Sequence, residues 1–188
     1  ESLYLVNQFA RDYFAKQMLE SQEGKAIGLS YFKERGYNDA TIKKFELGYS
    51  PDNSSAFTKA ALSAGYKLAY LEKTGLSKTN EKGSFDFFRG RVIFPIHNLT
   101  GRILGFGGRT LKTDKKIAKY FNSPESEIYH KSNVLYGLYQ AKGTIIKKDT
   151  CYLVEGYTDV VSLNQAGIEN VVASSGTALT EGQIKLIK

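Results

Sequence analysis

Apolar side chains in the first twenty residues recur at helical spacing. Leu3, Val6, Phe9 or Ala10, Tyr13, Phe14 and Met18 fall on one face, which predicts an amphipathic helix over residues 2–20 with Ser2 as its N-cap. A second helix is expected over residues 25–35, closed by Gly36, and a short third over residues 39–45, stopped before Gly48 and Pro51. Residues 53–71 read as a further helix broken at Gly65. The texture changes from Ser84 onward. Residues 88–95, residues 102–106 and a run near Tyr120 are short, rich in β-branched or aromatic side chains, and separated by Gly or Asn, as strands are. Asn98-Leu99-Thr100-Gly101 has the composition of a hairpin loop joining residues 91–97 to residues 102–109. Gly105, Gly107 and Gly108 lie within the second of these strands. Their spacing does not match a dinucleotide-binding fingerprint and no helix pattern follows, so they mark a bulge or a close approach of another part of the chain.

A helix is expected around residues 133–141. The pattern then alternates: strand at 151–155, helix at 159–166, strand at 170–174, helix at 181–187. Apolar strands alternating with amphipathic helices predict a parallel α/β sheet. Two parallel strands are too few to close such a layer, so either the natural protein continues or these strands pair with earlier ones.

Composition narrows the class. With 188 residues, 41% of them apolar, the chain can bury a substantial core as one domain or two small ones. No run approaches the roughly 18 apolar residues of a membrane span. Arg11, Asp12, Lys16 and Glu20 stand where a signal peptide would be apolar. An intracellular, cytoplasmic protein with no membrane contact is expected. The single cysteine, Cys151, lies in an apolar run and reads as a buried strand residue rather than a nucleophile, and no zinc cluster is present.

The net charge of +7 is unevenly placed. Residues 82–131 hold ten basic and four acidic side chains, whereas residues 1–50 hold seven of each and residues 132–188 five of each. Six of the seven net charges therefore fall in one window of fifty residues, which also carries Phe85, Phe87, Phe88, Phe94, Phe106, Tyr120, Phe121 and Tyr129. A basic strip interleaved with aromatics fits a nucleic-acid backbone surface with stacking platforms. A merely solvated basic face over a β core is the competing reading.

The sharpest chemical signal is Tyr152-Leu153-Val154-Glu155-Gly156-Tyr157-Thr158-Asp159. Here an apolar strand ends in a carboxylate, turns at a glycine and sets a second carboxylate at the start of the next helix. Ligands of open parallel sheets bind beyond the C-terminal ends of strands, where Glu155 would lie. Magnesium takes hard oxygen ligands and keeps several waters, so one or two carboxylates there can hold it against a phosphate. The structural alternatives are that Asp159 complements the helix dipole and that Glu155 bonds nearby backbone N–H groups.

The segment Val154 to Val161 resembles the first motif of the TOPRIM domain in the form found in bacterial DNA primases, and Ala173 to Thr180, which includes Thr177, resembles the segment that follows it. Upstream, Phe88-Arg89-Gly90-Arg91-Val92-Ile93-Phe94-Pro95-Ile96, Gly105-Phe106-Gly107-Gly108-Arg109, Lys119-Tyr120-Phe121-Asn122-Ser123-Pro124-Glu125, His130-Lys131 and Leu135-Tyr136-Gly137-Leu138 are similar to primase motifs in the same order. Tyr31-Phe32-Lys33-Glu34-Arg35-Gly36 and Leu47-Gly48-Tyr49-Ser50-Pro51 are similar to the helical opening of that family.

The resemblance implies an α/β chain in two parts: an α+β primase-specific subdomain with a basic ridge over residues 1–134, then the first part of a TOPRIM parallel sheet over residues 135–188. It implies synthesis of short RNA primers on a single-stranded DNA template from ribonucleoside triphosphates, with Mg²⁺ or Mn²⁺ as cofactor. In that family pattern Glu155 binds metal and Asp159 supports it as the second catalytic carboxylate. Arg109, Lys119 and Lys131 match basic residues near template or incoming nucleotide, with Arg89, Arg91, Tyr120 and Asn122 as neighbours. The family's zinc-ribbon domain, which would precede this region, and the Asp-x-Asp motif of the next TOPRIM strand are both absent. This fragment is therefore expected to bind Mg²⁺ weakly and to make no primer, and to meet a replicative helicase only through regions it lacks. The rival readings are another TOPRIM enzyme, such as a phage helicase-primase, a nuclease or a topoisomerase, and a non-catalytic single-strand-binding module.

Overall fold

The opening apolar stripe forms helix α1 over Ser2–Glu20, burying Leu3, Val6, Ala10, Phe14 and Met18. Its N-cap is Glu1, not Ser2 as the sequence suggested, and no side chain caps it. The Glu1 carboxylate instead accepts a hydrogen bond from Arg102 at 2.6 Å. The second helix opens as a π turn over Gly24–Leu29 and tightens into α2 over Ser30–Glu34. The wide turn sits where two glycines are obligatory: a Cβ on Gly24 would come 1.9 Å from the Gln17 carbonyl oxygen, and one on Gly28 2.7 Å from Tyr49. Helix α3, Asp39–Lys44, is capped by the Asn38 side chain, which accepts from the Thr41 N–H at 2.8 Å.

Strand β1 is Gly48–Ser50, and helices α4 (Ala56–Ser63) and α5 (Leu68–Lys73) lie on either side of the break expected at Gly65. A hairpin follows, β2 (Ser77–Asn80) with β3 (Gly83–Asp86). Then come β4 (Arg91–His97), β5 (Ile103–Thr110) and β6 (Tyr120–Asn122). The order β1-β4-β5-β6 makes an antiparallel sheet of four strands. The 91–97 to 102–109 hairpin expected from the sequence is its centre. Strand β1 and the β2–β3 hairpin were not anticipated, because three residues after a helix stop and a largely exposed Lys78-Thr79-Asn80 carry no apolar alternation.

The structure, a computed structural model, describes every residue except Thr177; that member of the second TOPRIM-like motif lies outside the described residues. The helix expected at 133–141 is displaced. Residues 131–133 make a single 3₁₀ turn, and helix α6 runs over Leu138–Lys148 after Gly137, whose φ of +85° breaks any continuous helix. Strand β7 (Tyr152–Val154), helix α7 (Tyr157–Gln165), strand β8 (Val171–Ala173) and helix α8 (Glu181–Ile187) complete the alternation, and β7 and β8 pair in parallel. This pair does not join the larger sheet. It touches the preceding segment through an isolated antiparallel bridge between Tyr136 and Ala173. Strand β7 has one strand neighbour among the described residues, so Tyr152 and Leu153 stay 53% and 44% exposed, and Cys151 is half-buried just outside the strand rather than within a buried one.

Both faces of the four-stranded sheet are covered, which explains why every residue of β4 is buried. On one face Val92, Phe94 and Ile96 join Phe32, Tyr37, Phe45 and Met18; on the other Ile93 and Phe106 join Phe14, Phe57, Leu71 and Phe88. The first core also includes Tyr157, Val160, Val161, Val171 and Ala173, each buried. At about 1.5–3 kcal/mol for each large apolar side chain removed from water, this shared core ties α7 and β8 firmly to the antiparallel sheet. Polar fastenings add direction: the Tyr37 hydroxyl donates to the Thr158 carbonyl at 3.0 Å, and the Lys44 ammonium donates to Asn164 at 2.8 Å.

Candidate nucleic-acid and metal site

Strand β7 delivers Glu155 to its C-terminal end, and Gly156 turns the chain into α7. The Asp159 carboxylate accepts from the Gly156 N–H at 3.2 Å, closing the first turn of that helix. One Asp159 oxygen therefore has the structural duty that spacing alone left open. Glu155 is different: its carboxylate is exposed and has no protein partner among the described residues, while its backbone carbonyl accepts from the Ser175 N–H at 3.2 Å. Ser175 and Gly176 both adopt positive φ, 59° and 89°, as the chain leaves β8. The result is a cleft of about 660 Å³ lined by Glu155 to Asp159, Ser174 to Gly176, Tyr120 and Asn122.

Tyr157 joins this cleft to the sheet. Its ring stacks on Phe94 with centroids 5.2 Å apart and meets Tyr136 edge-on at 4.6 Å. Its hydroxyl donates to the Asn122 side chain. Gly107, between Phe94 of β4 and Asn122 of β6 in the register, lies directly under the ring; a Cβ there would come 2.5 Å from it. Gly105 and Gly108 likewise face Ser123 and Phe88 at 2.9 and 2.6 Å. The glycine cluster is thus the close approach that its position inside a strand suggested, while the irregular register falls at Ile96/His97.

The basic residues divide into three situations. Arg109 on β5 is half-buried, with its guanidinium 5.0 Å from the ring centroid of Tyr31 and 6.0 Å from that of Tyr120. It donates to the Thr110 carbonyl at 3.1 Å, and its buried Nε has no hydrogen-bond partner among the described residues. Tyr120 is 38% exposed and stands 6.2 Å from Tyr157, so cation and ring lead to the edge of the cleft. Lys119 and Lys131 are exposed. Lys131 borders a small depression that shares Asn122, Ser174 and Ser175 with the cleft.

Arg91 is only 3% exposed. It donates to the carbonyls of Gly108, Lys119 and Ala118 at 3.2, 3.1 and 2.8 Å, and lies 3.7 Å over the Phe121 ring. This arginine organises the loop that carries Lys119. Arg89 is exposed and paired with Asp52 at 2.9 Å, in a depression that shares no lining residue with the carboxylate cleft. The structure therefore brings Glu155, Asp159, Tyr120, Asn122, Lys131 and Arg109 together and sets Arg89 and Arg91 to one side.

Residues 13–142 match the family described as the DNA primase catalytic core, N-terminal domain. The chain belongs to the DNA primase family. Residues 149–188 match the Toprim domain. The DNA primase of Halalkalibacterium halodurans is 41% identical over the whole of this chain, and that of Clostridium acetobutylicum 43%. The chain spans 31% and 30% of those two relatives. Among solved structures, the RNA polymerase domain of the Mycobacterium tuberculosis primase superposes with a TM-score of 0.92 at 36% identity, covering 98% of this chain and 60% of that one. A primase catalytic domain bound to single-stranded DNA superposes with a TM-score of 0.88 at 36% identity, covering 99% and 59%. Among the described residues no helix is long and apolar enough to cross a membrane.

Two residues of the primase surface escaped the reading of candidate site positions. Tyr31 cradles Arg109, and Arg35 donates to the Tyr31 hydroxyl at 2.8 Å while its guanidinium lies 5.2 Å from the same ring. Burial raises the Tyr31 hydroxyl above its ordinary range, so it stays a neutral partner for both arginines. The signal was present: Tyr31 and Arg35 are four apart, which puts them on one face of a helix.

Proposed function

We propose that this chain forms the template-binding part of a primase catalytic core together with the first corner of its metal site, and that the whole protein makes RNA primers on single-stranded DNA from ribonucleoside triphosphates. The observation that carries this reading is the line from Arg109, stacked between two tyrosines, through Tyr120 to a cleft that exposes the unpartnered Glu155 carboxylate. A solved relative bound to single-stranded DNA supports the same choice of partner.

The donor chemistry fits a hard divalent cation, Mg²⁺ or Mn²⁺, in part. Glu155 offers both oxygens, and Asp159 offers the oxygen that does not serve Gly156. Among the described residues no group of three or more His, Cys, Asp or Glu side chains could hold a metal ion. When bound, such an ion supplies positive charge against the triphosphate. The residues of this chain do the remaining work. Arg109, Lys119 and Lys131 offset phosphate charge along the approach to the cleft. Tyr120 presents a ring on which a base can stack, worth about 1–3 kcal/mol per base. Asn122 fixes the Tyr157 hydroxyl, and Tyr157 in turn holds the first turn of α7, on which Asp159 lies.

Anisotropy titrations of a labelled single-stranded oligonucleotide at several salt concentrations test this directly. Arg109→Glu or Lys119→Glu should weaken binding and flatten the slope of log K against log salt. Binding unchanged in both variants would sink the ridge assignment. With so small a donor set, the 188-residue chain should bind Mn²⁺ weakly and form no primer; a ribonucleotide product from the purified chain would refute the partial-site reading.

A further inference from the structure

On the face of the four-stranded sheet opposite Arg109, and sharing no residue with the carboxylate cleft, lies a depression of about 310 Å³ lined by Asp52, Arg89, Arg91, Thr110, Lys112 and Ile117. Asp52 is its only acidic lining residue. One of its oxygens accepts from Arg89 Nε at 2.9 Å and the other lies 3.1 Å from Lys112 Nζ. The two hydrogen-bonded cations hold the Asp52 carboxyl below its ordinary range, so it is ionised throughout the neutral region. The chain is shaped around this carboxylate: Gly90, at φ +67°, accepts no Cβ without placing it 3.2 Å from Asp52 Oδ1, and the Gly90 N–H donates to the Pro51 carbonyl at 3.1 Å.

We infer that Asp52 is an internal decoy for a backbone phosphate, and that Arg89 and Lys112 form a phosphate subsite, reached around the loop that leads from Lys112 to Lys119, which an incoming strand opens by displacing that carboxylate. The inference rests on the template-binding reading above and adds to it a subsite, a new residue in Lys112, and a device that tunes affinity. Carboxylate and phosphate present oxygens of like charge and similar spacing, so cations gathered by one are arranged for the other. The pairs are easily exchanged. Arg89 and Lys112 are each 52% exposed and Asp52 33%, the range in which solvent screening leaves ion pairs weak. A phosphodiester that replaces Asp52 keeps both charge contacts and releases its own counterions. Arg91, buried behind the depression, anchors Ala118 and Lys119 at the far end of the loop that begins near Lys112. The subsite and the Arg109 edge thus share a single loop.

The test compares single-stranded DNA binding by the full chain carrying Asp52→Asn, Lys112→Met, both, or Arg109→Glu. Asp52→Asn should tighten binding at least threefold at low salt and steepen the salt slope, each phosphate contact on a single strand adding about 0.7. Lys112→Met should cost more affinity when combined with Asp52→Asn than alone. Weaker binding by Asp52→Asn would overturn the proposal, because the carboxylate would then orient the cations rather than screen them. Unchanged binding by Asp52→Asn, with Arg109→Glu still weakened, would overturn the decoy and leave the template surface standing. If Arg109→Glu and Lys119→Glu both bind normally as well, the template reading itself fails. Asp52→Ser provides the same comparison should the asparagine variant fold poorly.

Discussion

Adding one methyl group at Gly107 should damage the candidate site from behind. An alanine Cβ would sit 2.5 Å from two carbons of the Tyr157 ring and 2.8 Å from its hydroxyl oxygen, well inside van der Waals contact. The ring cannot swing away freely. Phe94 stacks on it, Tyr136 abuts it edge-on, and its hydroxyl is held by Asn122. Nor can the strand yield, because Gly107 is paired on both sides, with Phe94 and with Asn122. Overpacking of this kind costs about 1–3 kcal/mol. For a chain of this length each kcal/mol lowers Tm by about 2–4 °C, giving a fall of roughly 2 to 12 °C. Because Tyr157 is the first residue of α7, part of the strain should appear as a displaced Gly156–Asp159 turn. Urea denaturation of Gly107→Ala, Tyr157→Leu and the double variant measures the coupling. If the clash is the cause, the smaller Leu side chain relieves it, and the double variant should be more stable than the sum of single losses by about 1 kcal/mol or more. Additive losses, or a Gly107→Ala protein as stable as its parent, would refute the close-contact reasoning.

Other perturbations probe different parts of the molecule. Removing the Arg91 guanidinium leaves three carbonyls without their charged donor and a ring without its cation, so Arg91→Ala should cost about 2–4 kcal/mol; Arg91→Lys should recover little of it, since an ammonium lacks the planar fork, and chemical denaturation reads both. Glu46 accepts from the buried His97 at 2.7 Å and pairs with Arg11 at 2.9 Å. Burial alone would raise its carboxyl, but His97 and Arg11 outweigh that and hold it below its ordinary value of 4.5. A depressed carboxyl stabilises the fold in full above that ordinary value and ceases to do so as pH falls through the lowered one. Thermal melts of Glu46→Gln across the acid range should therefore show a flatter loss of stability below pH 4.5 than the parent; parallel curves would contradict the linkage. Glu155→Gln should leave stability within about 0.5 kcal/mol of the parent, as the exposed side chain has no partner among the described residues, yet abolish paramagnetic broadening by Mn²⁺ at the cleft in NMR spectra. Broadening that persists would remove Glu155 from the metal site.

Periodicity and punctuation in the sequence already determined most elements, the antiparallel β4–β5 hairpin and the parallel β7–β8 pair. The α1 stripe, the β4–β5 hairpin around its Asn-Leu-Thr-Gly loop and the parallel alternation at the C-terminal end are set by local patterning, which acts within a few residues and can be read there. Ordered motifs likewise identified the family, and charge counting placed the basic excess in residues 82–131. What side chains do with their charges was not legible. Arg89, Arg91 and Arg109 are chemically identical in the sequence; tertiary packing paired the first with a carboxylate, buried the second against carbonyls and stacked the third between tyrosines. Asp159 and Glu155, four residues apart on a strand-to-helix turn, diverged in the same way, one capping a helix and the other open to the cleft. These outcomes depend on contacts between residues far apart along the chain. The same holds for Gly107, whose need for glycine comes from Tyr157, fifty positions later, and from the shared core that presses the two together.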